Sequence, residues 1–256
     1  MKASLLIAHR GGVVDEHRSE NSFAALEEAI RRRYTHVEID ARITADGGVV
    51  CFHNDGLAEE AGIPGRVSEM SLADVTQVTL TRSGEQIPTF DEYCARCAGR
   101  IGVMIDLKGC QDLYLDDYTN GIRSALDRHG LLDDALILIN KTPKNNQDVI
   151  AQRFSGQCLV SWRRPADETE RVAEQDPGFA KDHYVFNHGE DFSESDIERF
   201  HALGLTVIAS INRQHYSDGD PIAPGQQHIR QLRDWVVDGF QIDSCYDVDL
   251  LGGPHT

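Results

Sequence analysis

The chain has 256 residues, with 25 Lys and Arg against 42 Asp and Glu for a formal charge of −17, and 40% of its residues are hydrophobic. So acidic a balance argues against nucleic acid or anionic lipid as partners, because both are gripped through basic patches. The early apolar run Leu5-Leu6-Ile7-Ala8 is broken by His9 and Arg10, so neither a signal segment nor a membrane insertion is expected, and the default location is cytoplasmic.

Short β-branched stretches alternate with helical patterns along the chain, the mark of a parallel sheet. The first predicted strand, 4–8, is followed by a helix that Asn21 or Ser22 can cap, with Phe23, Leu26 and Ile30 as its apolar stripe. Strands follow at 36–40, 49–53, 102–106, 135–140, 158–162 and 183–187. Ser193 can cap a helix over 194–203 that Gly204 stops, with Ile197 and Phe200 inward. Strands at 205–211 and 240–243 complete the set, and the polar stretch 214–227, with Pro221, Pro224 and Gly225, reads as a loop over the barrel mouth.

Connection length decides the architecture. Only eight residues, among them Asp46-Gly47-Gly48, separate Asp40 from Val49, too few for a parallel crossover, so 49–53 must return as an antiparallel hairpin arm. Eight parallel candidates remain, each with room to cross back, and they imply a (β/α)8 TIM-type barrel with a small hairpin-containing insertion after the second strand. The whole chain, 1–256, reads as one barrel domain with the insertion at about 41–100. Cys51, Cys94, Cys97, Cys110, Cys158 and Cys245 are scattered and read as free thiols; Cys94 and Cys97 have half-site spacing but no second pair, and are expected to be structural filler.

Catalytic groups of such barrels sit at the C-terminal ends of strands. Here those ends carry His9-Arg10-Gly11-Gly12, Glu38-Ile39-Asp40, His53-Asn54-Asp55 on the hairpin arm, and Asp106-Leu107-Lys108. Alternation puts Glu38 with Asp40, and Asp106 with Lys108, on one side of their strands. Converging carboxylates raise one another's pKa unless they share a cation, and an oxygen-only set of Glu38, Asp40 and Asp106 favours Mg²⁺ or Ca²⁺ over zinc. His129, His201, His228 and His255 lack such company and read as surface residues.

Together, His9-Arg10-Gly11, Glu20-Asn21-Ser22, Glu38-x-Asp40, Asp46-Gly47 and His53, then Ile87-Pro88-Thr89-Phe90, Asp106-x-Lys108, Ile211-Asn212 and Asp238-Gly239-Phe240-Gln241-Ile242-Asp243, resemble the glycerophosphodiester phosphodiesterase family. The resemblance implies a (β/α)8 barrel that hydrolyses a small-molecule phosphodiester to sn-glycerol 3-phosphate and an alcohol with one divalent cation, Mg²⁺ or Ca²⁺. It implies Glu38, Asp40 and Asp106 as metal ligands, His9 and His53 as the acid/base pair, and Arg10 and Lys108 as phosphate contacts. The chain departs from the family pattern at Asn54, Asp106 and Ser19, and Ile208-Ala209-Ser210 replaces a Trp-Thr element. Asp106-x-Lys108 also resembles the related sphingomyelinase D-like phospholipases, which form cyclic phosphates. A non-catalytic phosphoester-binding protein and an enzyme for another phosphodiester are the remaining alternatives.

Overall fold

The computed structural model describes residues 5–216 and 220–247. Its elements in chain order are β1 (Leu5–Ala8), α1 (Phe23–Arg31), β2 (His36–Ile43), β3 (Val49–Cys51), α2 (Ala58–Ala61), α3 (Leu72–Val75), α4 (Phe90–Cys97), β4 (Gly102–Leu107), α5 (Leu115–Arg128), β5 (Leu136–Leu138), α6 (Gln147–Gln152), β6 (Leu159–Trp162), α7 (Ala166–Gln175), α8 (Phe179–Asp182), β7 (His183–His188), α9 (Glu194–Ala202), β8 (Val207–Ile211), α10 (Ile222–Asp234) and β9 (Gly239–Ile242), with short 3₁₀ turns between.

The sheet order is β1-β9-β8-β7-β6-β5-β4-β2-β3, and β1 also pairs with β2, which closes a parallel barrel of eight strands. The ninth, β3, runs antiparallel to β2 with Ile43 opposite Val49, the return that the short connection demanded. Between β2 and β4 a second apolar cluster, including Val50, Phe52, Leu57, Val75 and Ile87, packs beneath α2 and α3. Closure leaves the parallel strands without exposed edges.

Alternation sorts each strand into two faces. Outward residues such as Val37, Ile39, Val103, Ile105, Val207 and Phe240 pack against the helical layer. Inward residues Ile7, Met104, Leu136, Leu138, Tyr184, Phe186 and Ile208 fill the barrel. Ser22 caps α1, accepting from the Ala25 amide, and Ser193 caps α9, accepting from that of Asp196.

One expectation fails. The stretch 214–227 is not all loop, because α10 begins at Ile222. Pro224 is tolerated in a first turn, where the amide it lacks would have no intrahelical partner. Gly225 has a packing role, since a Cβ there would lie 2.4 Å from the Tyr246 ring. The six cysteines are free, and Cys94 and Cys97 are buried in the core. Among the described residues no helix is long and apolar enough to cross a membrane.

Candidate active site

The β1–α1 loop shapes one wall of the barrel mouth. Arg10 and Gly11 take left-handed backbone angles, φ 54° and 82°. At Gly11 a Cβ would lie 2.4 Å from the Asn21 Cα, and at Gly12 one would lie 2.2 Å from the Ala25 carbonyl oxygen. Glycine alone lets the loop press this closely on α1. In that position the Arg10 amide donates to Glu38 Oε2 at 2.6 Å, and Asn21 Nδ2 donates to Asp40 Oδ2 at 2.7 Å.

Glu38 and Asp40 on β2 and Asp106 on β4 are brought together as the sequence indicated: each offers an oxygen within 4.8 Å of the others, a group that could hold a metal ion. Two observations fit the donor set to a hard cation. All three are oxygen donors, and Asp106 Oδ1 is buried with no hydrogen-bond partner, a costly state unless something shares it. Lys108 Nζ lies 2.7 Å from Asp40 Oδ1 and 2.6 Å from Asp106 Oδ2. Burial, with Asp40 and Asp106 beside it, pushes the Glu38 carboxyl well above the usual range. Burial also disfavours the charged Asp40, but the Lys108 ammonium together with His53 and the Asn21 amide outweighs it and holds that carboxyl low.

The two histidines are held differently. His9 Nδ1 lies 2.7 Å from Asp243 Oδ1, beyond the end of β9. Burial disfavours the Asp243 carboxylate, yet His9, the Arg213 amide and Arg10 together outweigh that and hold its pKa low; a carboxylate can only accept, so Nδ1 is the donor and Nε2 is the ring nitrogen that Asp243 does not engage. His53 Nδ1 faces Asn54 Oδ1 at 3.0 Å, and the Asn54 amide is itself oriented by donating to Glu59 Oε2 at 2.6 Å. Burial pulls the His53 pKa down to about 4. Arg42 donates to the Phe52 and His53 carbonyls and so fixes the backbone that carries this ring.

Arg10 turns its guanidinium to Glu20, 2.6 Å away. Beside it a cavity of about 710 Å³ is bordered by His9, Arg10, Glu20, Glu60, Tyr216 and Asp243. Glu20, Arg42 and Asp243 received no individual role from sequence reasoning, and Asn21 only that of a candidate helix cap, which Ser22 fills instead. Alternation could have marked Arg42, two residues beyond Asp40, and Asp243, two beyond Gln241; the partnership of His9 with Asp243 spans 234 residues and has no local signal. His129, His201 and His228 pair with Asp91, Asp238 and Tyr216 respectively, and His255 lies outside the described residues.

The profile of the glycerophosphoryl diester phosphodiesterase family matches residues 9–245. The chain belongs to this family. YhdW of Bacillus subtilis is 29% identical over 110 residues, 41% of this chain and 44% of its own length. Human glycerophosphodiester phosphodiesterase 1 is 30% identical over 112 residues, 40% of this chain and 33% of its own length. The chain thus aligns with less than half the length of these curated relatives. Among solved structures, a phosphodiesterase from Oleispira antarctica, in complex with the product sn-glycerol-3-phosphate, superposes with a TM-score of 0.74 at 21% identity, covering 96% of this chain and 95% of that one. A glycerophosphoryl diester phosphodiesterase from Parabacteroides distasonis gives 0.74 at 18% identity over 97% of this chain and 85% of that one. This family member therefore shares their barrel fold.

Proposed function

We propose that the chain is a metal-dependent glycerophosphodiester phosphodiesterase that acts as one barrel domain, releasing sn-glycerol 3-phosphate and an alcohol. The observation that carries the reading is the carboxylate group Glu38, Asp40 and Asp106, within 4.8 Å of one another, in a chain the family profile matches from 9 to 245. The product named for the Oleispira antarctica structure, sn-glycerol-3-phosphate, is in keeping with it. The three carboxylates would hold one Mg²⁺ or Ca²⁺, which when bound neutralises charge growing on a non-bridging phosphoryl oxygen. Arg10 and Lys108 donate to the same phosphoryl group and keep it against the barrel wall.

His9 and His53 move the protons. A carboxylate partner supports an imidazolium, whereas a neutral amide supports a neutral ring. His9, on Asp243, therefore protonates the departing alkoxide, and His53, on Asn54, takes the proton of the attacking hydroxyl. Each role contributes about 10² to 10⁴ in rate. A p-nitrophenyl ester separates the two roles, because nitrophenolate leaves without protonation. His9→Ala is expected to lose activity on glycerophosphocholine but recover on the activated ester, while His53→Ala loses both; the reverse pattern would exchange the roles.

The activity itself is read from a panel of glycerophosphodiesters assayed with Mg²⁺, Ca²⁺ or EDTA and followed by phosphorus NMR. Glycerol 3-phosphate appearing only with a divalent cation supports the proposal. Persistent cyclic phosphate would move the chain to the cyclising reaction, and binding without turnover would make it a phosphoester-binding protein.

A further inference from the structure

Opposite sides of the barrel mouth carry different side chains. In the closed order of eight parallel strands, β6 faces β1 and β7 faces β2 across the axis. The first half carries the carboxylates and His9. The opposite strand ends carry Arg163 and His188, placed inward by the same alternation that puts Leu159 on β6 and Tyr184 and Phe186 on β7 inside the barrel.

Arg163 lies with its guanidinium carbon 5.1 Å from the centre of the Phe186 ring. Because Phe186 belongs to the barrel filling, this contact holds the guanidinium over the interior instead of letting it extend into solvent. Arg163 Nε is buried with no hydrogen-bond partner, and among the described residues no carboxylate pairs with this side chain. The contrast with its neighbours is sharp: Lys108 is held by Asp40 and Asp106, Arg10 by Glu20 and Lys141 by Asp191. His188 adds to the same arc and stacks on His215 with ring centres 3.9 Å apart. Burial, with Arg163 nearby, disfavours the charged form of His188. Asp106 and Asp191 act on Arg163 without forming an ion pair with it, and a buried donor left without a hydrogen-bond partner costs free energy unless an anion completes the set.

We infer that Arg163, with His188 beside it, binds a second anionic group of the substrate, a phosphomonoester or carboxylate on its alcohol, across the mouth from the carboxylate cluster. The inference rests on the phosphodiesterase reading. The scissile diester carries one negative charge, already met on the β1–β4 side by Arg10, Lys108 and the cation; a guanidinium on the opposite wall serves a further charge. Its planar fork suits both phosphate and carboxylate oxygens.

The test compares three glycerophosphodiesters whose alcohol is neutral, carries a terminal phosphomonoester, or carries a carboxylate. The wild-type enzyme is expected to favour at least one of the anionic alcohols by roughly 10- to 100-fold in kcat/KM, the range of a charge-assisted pair, and the favoured arm names the group. Arg163→Met is expected to erase that preference through KM, and Arg163→Lys to retain part of it. Should the methionine variant fail to fold, the lysine variant carries the same comparison. An equal loss on neutral and anionic substrates would place Arg163 at the scissile phosphate and overturn the inference, as would a wild type with no preference. If no substrate is turned over, the phosphodiesterase reading fails separately, and calorimetry with propane-1,3-diyl bisphosphate against propyl phosphate still reads the arc. Tighter binding of the bisphosphate, lost in Arg163→Met, sustains it; equal affinities refute it.

Discussion

Lys108 offers the most direct way to perturb the site. Its ammonium, on a side chain only 10% exposed, sits 2.7 Å from Asp40 and 2.6 Å from Asp106, whose side chains are 1% and 14% exposed. Removing one member of a buried ion pair strands its partners, at a cost of about 3–5 kcal/mol. Lys108→Met leaves two such partners, so the full range applies in EDTA. For a domain of this size each kcal/mol moves the melting temperature by about 2–4 °C, which predicts a loss of roughly 6–20 °C. Two dependences follow. Against its burial, the ammonium is the foremost of the contacts that hold the Asp40 carboxyl low; without it Asp40 takes up a proton more readily, so the loss is smaller near pH 5 and grows toward pH 8. A divalent cation would supply the missing positive charge, and at a hundred times its dissociation constant it stabilises by about 2.7 kcal/mol. Thermal denaturation of wild type and variant, with EDTA and with Mg²⁺ or Ca²⁺ at both pH values, checks all of this. A variant as stable as wild type in EDTA at pH 8 would refute the buried-pair argument, and one that gains nothing from either cation would refute the shared site.

Cation binding should release protons, because burial and the neighbouring carboxylates raise the Glu38 pKa and only its ionised form ligates. Affinity then rises with pH until that carboxyl ionises by itself, and calorimetry in buffers of different ionisation enthalpy reads the release; none at any pH above the ordinary carboxylate range would contradict the raised Glu38. Asp243→Asn, which removes the carboxylate on His9 Nδ1, should lower kcat by about 10²- to 10⁴-fold with KM little changed, and Asp243→Glu should recover part of it. A purely structural role would instead show as a lowered melting temperature with kcat retained. Val236 is 70% exposed and adopts φ 63°, a left-handed conformation costing a branched residue about 1–2 kcal/mol; Val236→Gly should stabilise the chain by about 1 kcal/mol in urea titration, and a destabilised variant would show that the side chain packs after all.

The barrel was legible because its strands are buried on both faces and bounded by helices, and because a connection too short for a crossover disposes of the surplus strand. Glu38 with Asp40 and Asp106 with Lys108 were legible for the same geometric reason: alternation fixes the side on which a strand-end residue points. The rule applies equally to Arg163 and His188. They were missed because the predicted strands stopped at 162 and 187, and a polar residue just beyond looked like the start of a loop. Asp243 was quoted in a motif but could not be assigned to His9, since nothing local links residues 234 positions apart. The start of α10 was hidden by Pro224 and Gly225, whose turn-like chemistry is overridden by packing against Tyr246.

The glycine pair after Arg10 explains how a cluster of buried carboxylates survives folding at all. The loop is drawn close enough to α1 for the Arg10 amide to reach Glu38 and for Asn21 to reach Asp40, so one oxygen of each is satisfied by a rigid neutral donor. Lys108 supplies the opposing charge to Asp40 and Asp106. Asp106 Oδ1 and Asp40 Oδ1 are left without a hydrogen-bond partner, the latter facing the Lys108 ammonium, and Asp106 Oδ1 belongs to the proposed cation. The donors that orient the ligands are therefore separate from the ligand oxygens a cation would share, and they are anchored in the β1–α1 loop and barrel wall. It follows that removing the cation should leave the barrel and this loop in place while abolishing turnover, in contrast to small metal domains whose fold collapses with their ion.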